Sequence, residues 1–315
     1  MHRRGSQSPQ QFGNMDRPKH IVLSGATGFL GSHLLKTLLA REYAVTILKR
    51  SNSDTSRIER EIGRVRIIDI DKTSVAEAFS GVSTDAVVHT ACSYGRQGET
   101  ALDMLETNVS FGLQLFESAR DAGVPQFVNT DTSLPRTLNR YALSKKQFVE
   151  WLRFETGPQK TVNLRLEQMY GPGDDNKKFL PWVLDQLFGG AKEISLTSGE
   201  QKRDFIHVND VASLYVAVLE CPMSSGFSEF DVGTGRLSTI REVVQTLRRL
   251  AADVTGSTGL PELRFGAVPY RAGELMEPDI NVSATTERLG WEPEITLETG
   301  LRELVFKTYG ERNGS

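Results

Sequence analysis

From Lys19 onward, short apolar runs alternate with amphipathic stretches. Ile21-Val22-Leu23 predicts a strand. A glycine-rich loop follows, after which Phe29, Leu30, His33, Leu34, Leu38 and Leu39 recur at helical spacing. Strands are predicted at Val45-Thr46-Ile47-Leu48, Val65-Arg66-Ile67-Ile68, Asp85–His89, Gln126–Asn129 and Thr161–Leu166. Helices are predicted at Val75–Phe79, Leu102–Asp121 (one long helix) and Tyr141–Phe154. Strands that alternate with helices, and are apolar enough to be covered on both faces, predict an α/β fold with a doubly wound parallel sheet. After Tyr170 the texture changes, with Gly171-Pro172-Gly173-Asp174-Asp175 and an irregular alternation. The expected division is a dinucleotide-binding domain over 19–166 and a smaller, mixed substrate-binding domain over 167–315. Phe230-Asp231-Val232 is expected to return towards the sheet. Residues 1–18, without periodicity or the apolar run of a signal peptide, read as a disordered tail. Glu311–Ser315 are expected not to pack.

Composition narrows the function classes. The 315 residues carry 37 Lys+Arg against 40 Asp+Glu, a net charge of −3, with 38% apolar and 24% charged content. That balance, without a dense basic run, argues against nucleic-acid binding. No apolar run approaches the ~18 residues of a membrane span. Cys92 and Cys221, with no CxxC, cannot form a disulfide framework; reduced thiols in a cytoplasmic enzyme are expected.

Gly25-Ala26-Thr27-Gly28-Phe29-Leu30-Gly31 sits between the first strand and the first helix. In such a Rossmann unit Gly25 permits the tight turn. Gly28 lets the backbone approach a pyrophosphate, and Gly31 allows close packing of helix on strand. The free N–H groups of the helix N-terminus then meet the phosphates, so the loop, Thr27, Phe29 and Leu30 included, is a candidate cofactor cradle. NAD sites usually place an acid ~20 residues further on. Here the second strand ends in Lys49-Arg50-Ser51. An acid would repel a 2′-phosphate, whereas the Arg50 fork and the Ser51 hydroxyl suit one, so the expected cofactor is NADP(H).

Tyr141 and Lys145 are four apart, on one face of the predicted helix. A phenol ordinarily titrates near pH ~10 and is a poor acid–base group at neutral pH; a neighbouring ammonium is expected to lower that value. Thr130, Asp131 and Thr132 are expected just past the fifth strand. A hydroxyl there can hydrogen-bond a substrate oxygen. His89, His207 and Asp210 lack metal-ligand spacing, and no metal is expected.

These motifs together resemble the extended short-chain dehydrogenase/reductase family of NAD(P)-dependent sugar-nucleotide epimerases, dehydratases and 4-ketoreductases. The resemblance runs from about Lys19 to Tyr309. It includes Asp69-Ile70, Val88-His89-Thr90-Ala91, Asn108-Val109, Tyr170-Gly171-Pro172-Gly173, Arg203-Asp204-Phe205, Asp231–Gly235, Tyr270–Glu274 and Leu289–Pro293. It implies Tyr141 as general acid/base, Lys145 as its partner and ribose ligand, and Thr130 as the group orienting the substrate oxygen. Asp69 and Ile70 would flank the adenine, Thr90 and Ala91 would line the nicotinamide side, and Arg203 and Arg271 would hold the diphosphate of a nucleotide-sugar substrate. Dehydratases of this type carry Thr-Asp-Glu where this chain has Thr130-Asp131-Thr132, so the base for elimination is missing. The short segment from Thr130 to Tyr141 resembles 4-ketoreductases of the CDP-abequose/CDP-paratose synthase type. The resemblance thus implies NADPH-dependent reduction of the C4 ketone of a nucleotide-linked 4-keto-6-deoxy or 3,6-dideoxy hexose. The alternatives are a 4-epimerase with tightly bound NAD and a cofactor-sensing protein without catalysis. A homodimer through the helices at 102–121 and 141–154 is also implied.

Overall fold

The computed structural model describes residues 18–155, 157–256 and 259–313. The tail expected at 1–18 lies outside them, apart from its last residue. Six strands arise in the first 166 residues: β1 (His20–Ser24), β2 (Ala44–Lys49), β3 (Arg66–Asp69), β4 (Ala86–His89), β5 (Gln126–Thr132) and β6 (Lys160–Leu166). They lie side by side in the order β3-β2-β1-β4-β5-β6, every pair parallel. All five residues of β1 are buried, and its middle three, Ile21-Val22-Leu23, form the apolar run that marks a strand covered on both faces. The order reverses between β1 and β4, and a crevice opens there beyond the carboxyl ends of the strands.

Helices α1 (Phe29–Ala40), α2 (Ala101–Leu105), α3 (Phe111–Asp121) and α4 (Arg140–Phe154) cover the two faces. Further on come β7 (Gln168–Tyr170), α5 (Phe179–Phe188), β8 (Glu193–Leu196), β9 (Lys202–His207) and α6 (Val208–Glu220). Leu34, Leu35 and Leu38 of α1 pack in one core with Val211, Leu214 and Val218 of α6. Each such leucine contributes roughly 1.5–3 kcal/mol by leaving water. Val22, Val87, Phe116, Phe127 and Phe148 form the core of the opposite face. As the sequence suggests at 230–232, the chain then returns: β10 (Gly226–Val232) pairs in parallel with β6 and becomes the seventh strand. The remainder is β11 (Leu237–Thr239), α7 (Ile240–Thr255), β12 (Glu262–Phe265), α8 (Ser283–Leu289) and α9 (Leu297–Asn313). Strand β9 lies between β7 (parallel) and β11 (antiparallel), and β8 pairs with β12. A separate core gathers α5, α7 and α9 around Val183, Leu184, Val244, Leu247 and Leu301.

Three expectations are corrected. The long helix at 102–121 is broken: a π-helical turn over Glu106–Ser110 separates α2 from α3. Buried Asn108 in that turn donates to the Ser93 carbonyl and to Ser144 Oγ, both at 2.9 Å, which ties the helix to α4 and to the loop after β4. The short helix at Val75–Phe79 is a 3-10 turn. Strand β5 continues to Thr132, because its ladder with β6 runs on through Thr130↔Leu164 to Thr132↔Leu166. Helix α9 runs to Asn313 and Arg312 pairs with Asp185, while Glu311 and Arg312 stay exposed; 314 and 315 lie outside the described residues.

Candidate active site

The crevice at the strand ends has a volume of about 1730 Å³. Single small-molecule sites usually fall between ~300 and 1,000 Å³, so there is room for more than one ligand. Of the residues selected from sequence, all except Ser51 and Asp69 line it.

At one end, α1 points its N-terminus into the crevice. Its N-cap is Gly28, with no side-chain cap, and no acidic residue occupies the first turn. The amide groups and the positive dipole end are therefore unneutralised, as an anion requires. Gly25 holds φ 76, and a Cβ there would lie 2.6 Å from the Ala91 nitrogen. A Cβ on Gly31 would collide with the Gly25 carbonyl. These glycines let β1, the loop after β4 and α1 meet without side chains, a cradle that fits a pyrophosphate. Thr90 closes it from behind, donating through Oγ1 to the Ser24 carbonyl at 2.8 Å.

The rim beyond β2 is basic. Arg50 is exposed, Lys49 is half-exposed, and both line the crevice with Ser53, Arg57 and Asp71. Ser51 is placed differently from the expectation. Its hydroxyl donates to Asp69 Oδ2 at 2.7 Å, and that bond holds the Asp69 carboxyl below the usual range. The pair ties together the carboxyl ends of the parallel strands β2 and β3, while Ile70 faces the crevice. Ser53 and Arg57 were not selected from sequence; no local motif marks them.

Lys145 is 1% exposed, and burial pulls its ammonium pKa down. Tyr141, one turn earlier on α4, stacks on Tyr94 with ring centroids 4.8 Å apart. The expectation that Lys145 lowers the phenol's pKa is corrected. Burial first, then the acidic neighbours Tyr94, Cys92 and Asp131, push it well above the ordinary value. Tyr141 is thus held as a protonated phenol. His89, at the end of buried β4, bonds Ser24 Oγ at 2.7 Å, and burial, then the Lys145 charge, press it down to about 3. His207 caps α6, accepting from the Asn209 amide, and Asp210 accepts the amides of Glu294 and Ile295. Each of the three residues weighed for a metal thus has a structural partner.

Thr130 lines the crevice from β5, with Oγ1 2.6 Å from the hydroxyl of Tyr215. Asp131 is buried, and its Oδ2 accepts from Lys146 Nζ at 2.7 Å and from Asn163 at 3.2 Å. Thr132 Oγ1 accepts from the Leu134 amide, and its carbonyl accepts from Lys146. Arg203 is braced by Glu274 at 2.6 Å and by the carbonyls of Lys202 and Leu275, whereas Arg271 is exposed. Glu167, after β6, was not singled out from sequence. It lines the crevice 8% exposed, and burial raises its carboxyl to about 7.

A glycine-cradled helix N-terminus at the switch point of a parallel sheet, with a Tyr–Lys pair in the same crevice, defines a nicotinamide-dinucleotide enzyme. Residues 21–233 match the NAD dependent epimerase/dehydratase family, and the chain belongs to it. It is 32% identical to CDP-abequose synthase of Salmonella muenchen over 300 residues, covering 92% of this chain and 98% of that one. It is 24% identical to UDP-glucose 4-epimerase of Erwinia amylovora, covering 92% and 96%. Among solved structures, UDP-glucose 4-epimerase of Thermus thermophilus in complex with NAD aligns with a TM-score of 0.75 at 25% identity, covering 92% of this chain and 99% of that one. The chain is accordingly an NAD(P)-dependent oxidoreductase-type enzyme. Among the described residues no helix is long and apolar enough to cross a membrane.

Proposed function

We propose that the protein reduces the C4 ketone of a nucleotide-linked 4-keto-6-deoxy or 3,6-dideoxy hexose, using NADPH. The observation that carries this reading is Tyr141, kept protonated in the crevice that Thr130 and Lys145 also line. A reductase needs a proton donor at the moment the carbonyl oxygen becomes an alkoxide, and a protonated phenol is one. The similarity to a CDP-abequose synthase along nearly the whole chain supports the same reading.

The cradle of α1 would hold the dinucleotide pyrophosphate, and Arg50 with Lys49 would hold the 2′-phosphate; the reduced nicotinamide, when bound, would supply hydride to C4. Tyr141 gives its proton to the C4 oxygen, and Thr130 donates a hydrogen bond to the same oxygen. Lys145, withdrawn from water, stabilises the tyrosinate left behind and orients the ribose. Arg203 and Arg271 bind the diphosphate. An epimerase with retained NAD is the second reading, favoured by similarity to the Erwinia enzyme.

Binding of NADPH against NADH, followed by turnover on CDP-, dTDP-, UDP- and GDP-linked 4-keto sugars, separates the two. Net NADPH consumption is expected. Turnover without added cofactor, from NAD that survives purification, would establish the epimerase instead. Arg50→Glu should weaken NADPH binding ~10–100-fold, the value of a charged hydrogen bond of ~1.5–3 kcal/mol, and leave NADH binding little changed. Equal loss for both cofactors would remove the 2′-phosphate from this rim.

We also assign a homodimer interface to α2 and α4, where Leu102, Leu143, Trp151 and Phe154 are exposed. Sedimentation should give a dimer, with Trp151→Glu shifting it to monomer; a wild-type monomer would refute this.

A further inference from the structure

Tyr215 has no exposed surface, and its hydroxyl oxygen lies 2.6 Å from Thr130 Oγ1. Nothing above gives this residue a part in the reaction. A buried phenol carries one proton, and leaving it without an acceptor costs about 1–3 kcal/mol. Among the described residues Thr130 Oγ1 is the hydrogen-bond partner within its reach. Tyr215 therefore donates and Thr130 accepts. Burial raises the phenol's pKa far above its ordinary value, so its proton stays in place at any physiological pH.

The consequence falls on Thr130. An oxygen that already accepts from the protein side still has its own hydrogen to place. Behind it Tyr215 packs among the apolar residues Val211, Leu214 and Val218, and in front of it lies the crevice. The hydrogen is left to point forwards. We propose that Tyr215 is a positioning residue for the reduction: its hydroxyl fixes Thr130 as a hydrogen-bond donor aimed at the C4 oxygen of the sugar. This rests on the reductase reading. Tyr215 touches no substrate and acts through Thr130. In the reaction step hydride reaches C4, the Tyr141 proton reaches the C4 oxygen, and the protons of Thr130 and Tyr215 remain on their own oxygens. Preorganisation of this kind adds rate because the donor need not turn when charge develops.

The test compares Tyr215→Phe, Thr130→Val and the double variant with the wild type, using NADPH and CDP-4-keto-3,6-dideoxyglucose, or whichever panel sugar turns over. Thr130→Val should lower kcat ~10²–10³-fold, as removal of an oxyanion donor does. Tyr215→Phe should lower kcat roughly tenfold, with KM for the sugar and Kd for NADPH within about twofold, because only orientation is lost. The double variant should be no slower than Thr130→Val alone. Wild-type kcat in Tyr215→Phe beside a slow Thr130→Val overturns the positioning role and leaves the reductase reading standing. So does a double variant whose losses multiply. Wild-type kcat in Thr130→Val removes the role of Thr130 and the inference with it. Melting curves and NADPH binding report whether Tyr215→Phe is folded. Should it not be, Thr130→Ser gives the second reading. Serine lacks the methyl group that stiffens threonine, so its hydroxyl is held by Tyr215 alone. It should keep at least about ten times the kcat of Thr130→Val; a serine variant as slow as valine would show that the methyl group, not the phenol, sets the hydroxyl.

Discussion

Tyr141→Phe is expected to lower kcat by ~10²–10⁴, the usual contribution of a positioned general acid, while NADPH binding and the melting temperature stay close to wild type. The ring remains packed on Tyr94, so only the hydroxyl and its hydrogen bonding are lost. The pH profile gives an independent check. A proton donor works below its pKa, and that of Tyr141 is raised. The wild-type reduction rate should therefore hold from neutral into alkaline pH instead of falling near 7. A phenylalanine variant that reduces the ketone at the normal rate would sink the assignment.

Gly31→Ala is expected to act on the cofactor instead of the chemistry. The added Cβ would strike the main-chain carbonyl of Gly25, with no flexible side chain able to yield. Overpacking of this kind costs about 1–3 kcal/mol, and a rigid loop places it at the upper end, so NADPH should bind ~100-fold more weakly. Gly63→Ala is the control: nothing lies within 4 Å of the new methyl group. Calorimetric titration of both variants with NADPH would show normal binding for Gly63→Ala only. Normal binding by Gly31→Ala would mean that the pyrophosphate does not use this loop.

What could be read from the sequence follows from where each signal is stored. Strands β1 and β4 are buried along their whole length, and each carries its own apolar run. The glycine loop and the Tyr141–Lys145 pair are local patterns of seven and five residues. Strands β7 and β11 are three residues each, with half-buried positions, and leave no such run. The break at Glu106–Ser110 depends on Asn108 reaching Ser93 and Ser144, 15 and 36 residues away. Similarly, Thr130 meets Tyr215 across 85 residues, and Asp131 is matched by Lys146 only once β5 and α4 are packed. The chemistry of the Tyr–Lys pair was legible as residue types but not as protonation. Spacing suggested a lowered phenol pKa, whereas burial and the neighbours Tyr94 and Cys92, brought in by the loop after β4, raise it.

The late arrival of β10 has a consequence for synthesis. The bond from Asn163 on β6 to Glu229 on β10 spans 66 residues. Until the ribosome has released that stretch, β6 is an open edge with its ladder groups unpaired, the kind of edge that recruits other chains. A nascent chain can thus seat its nucleotide loop early but stays adhesive along the opposite border of the sheet until its second half has emerged.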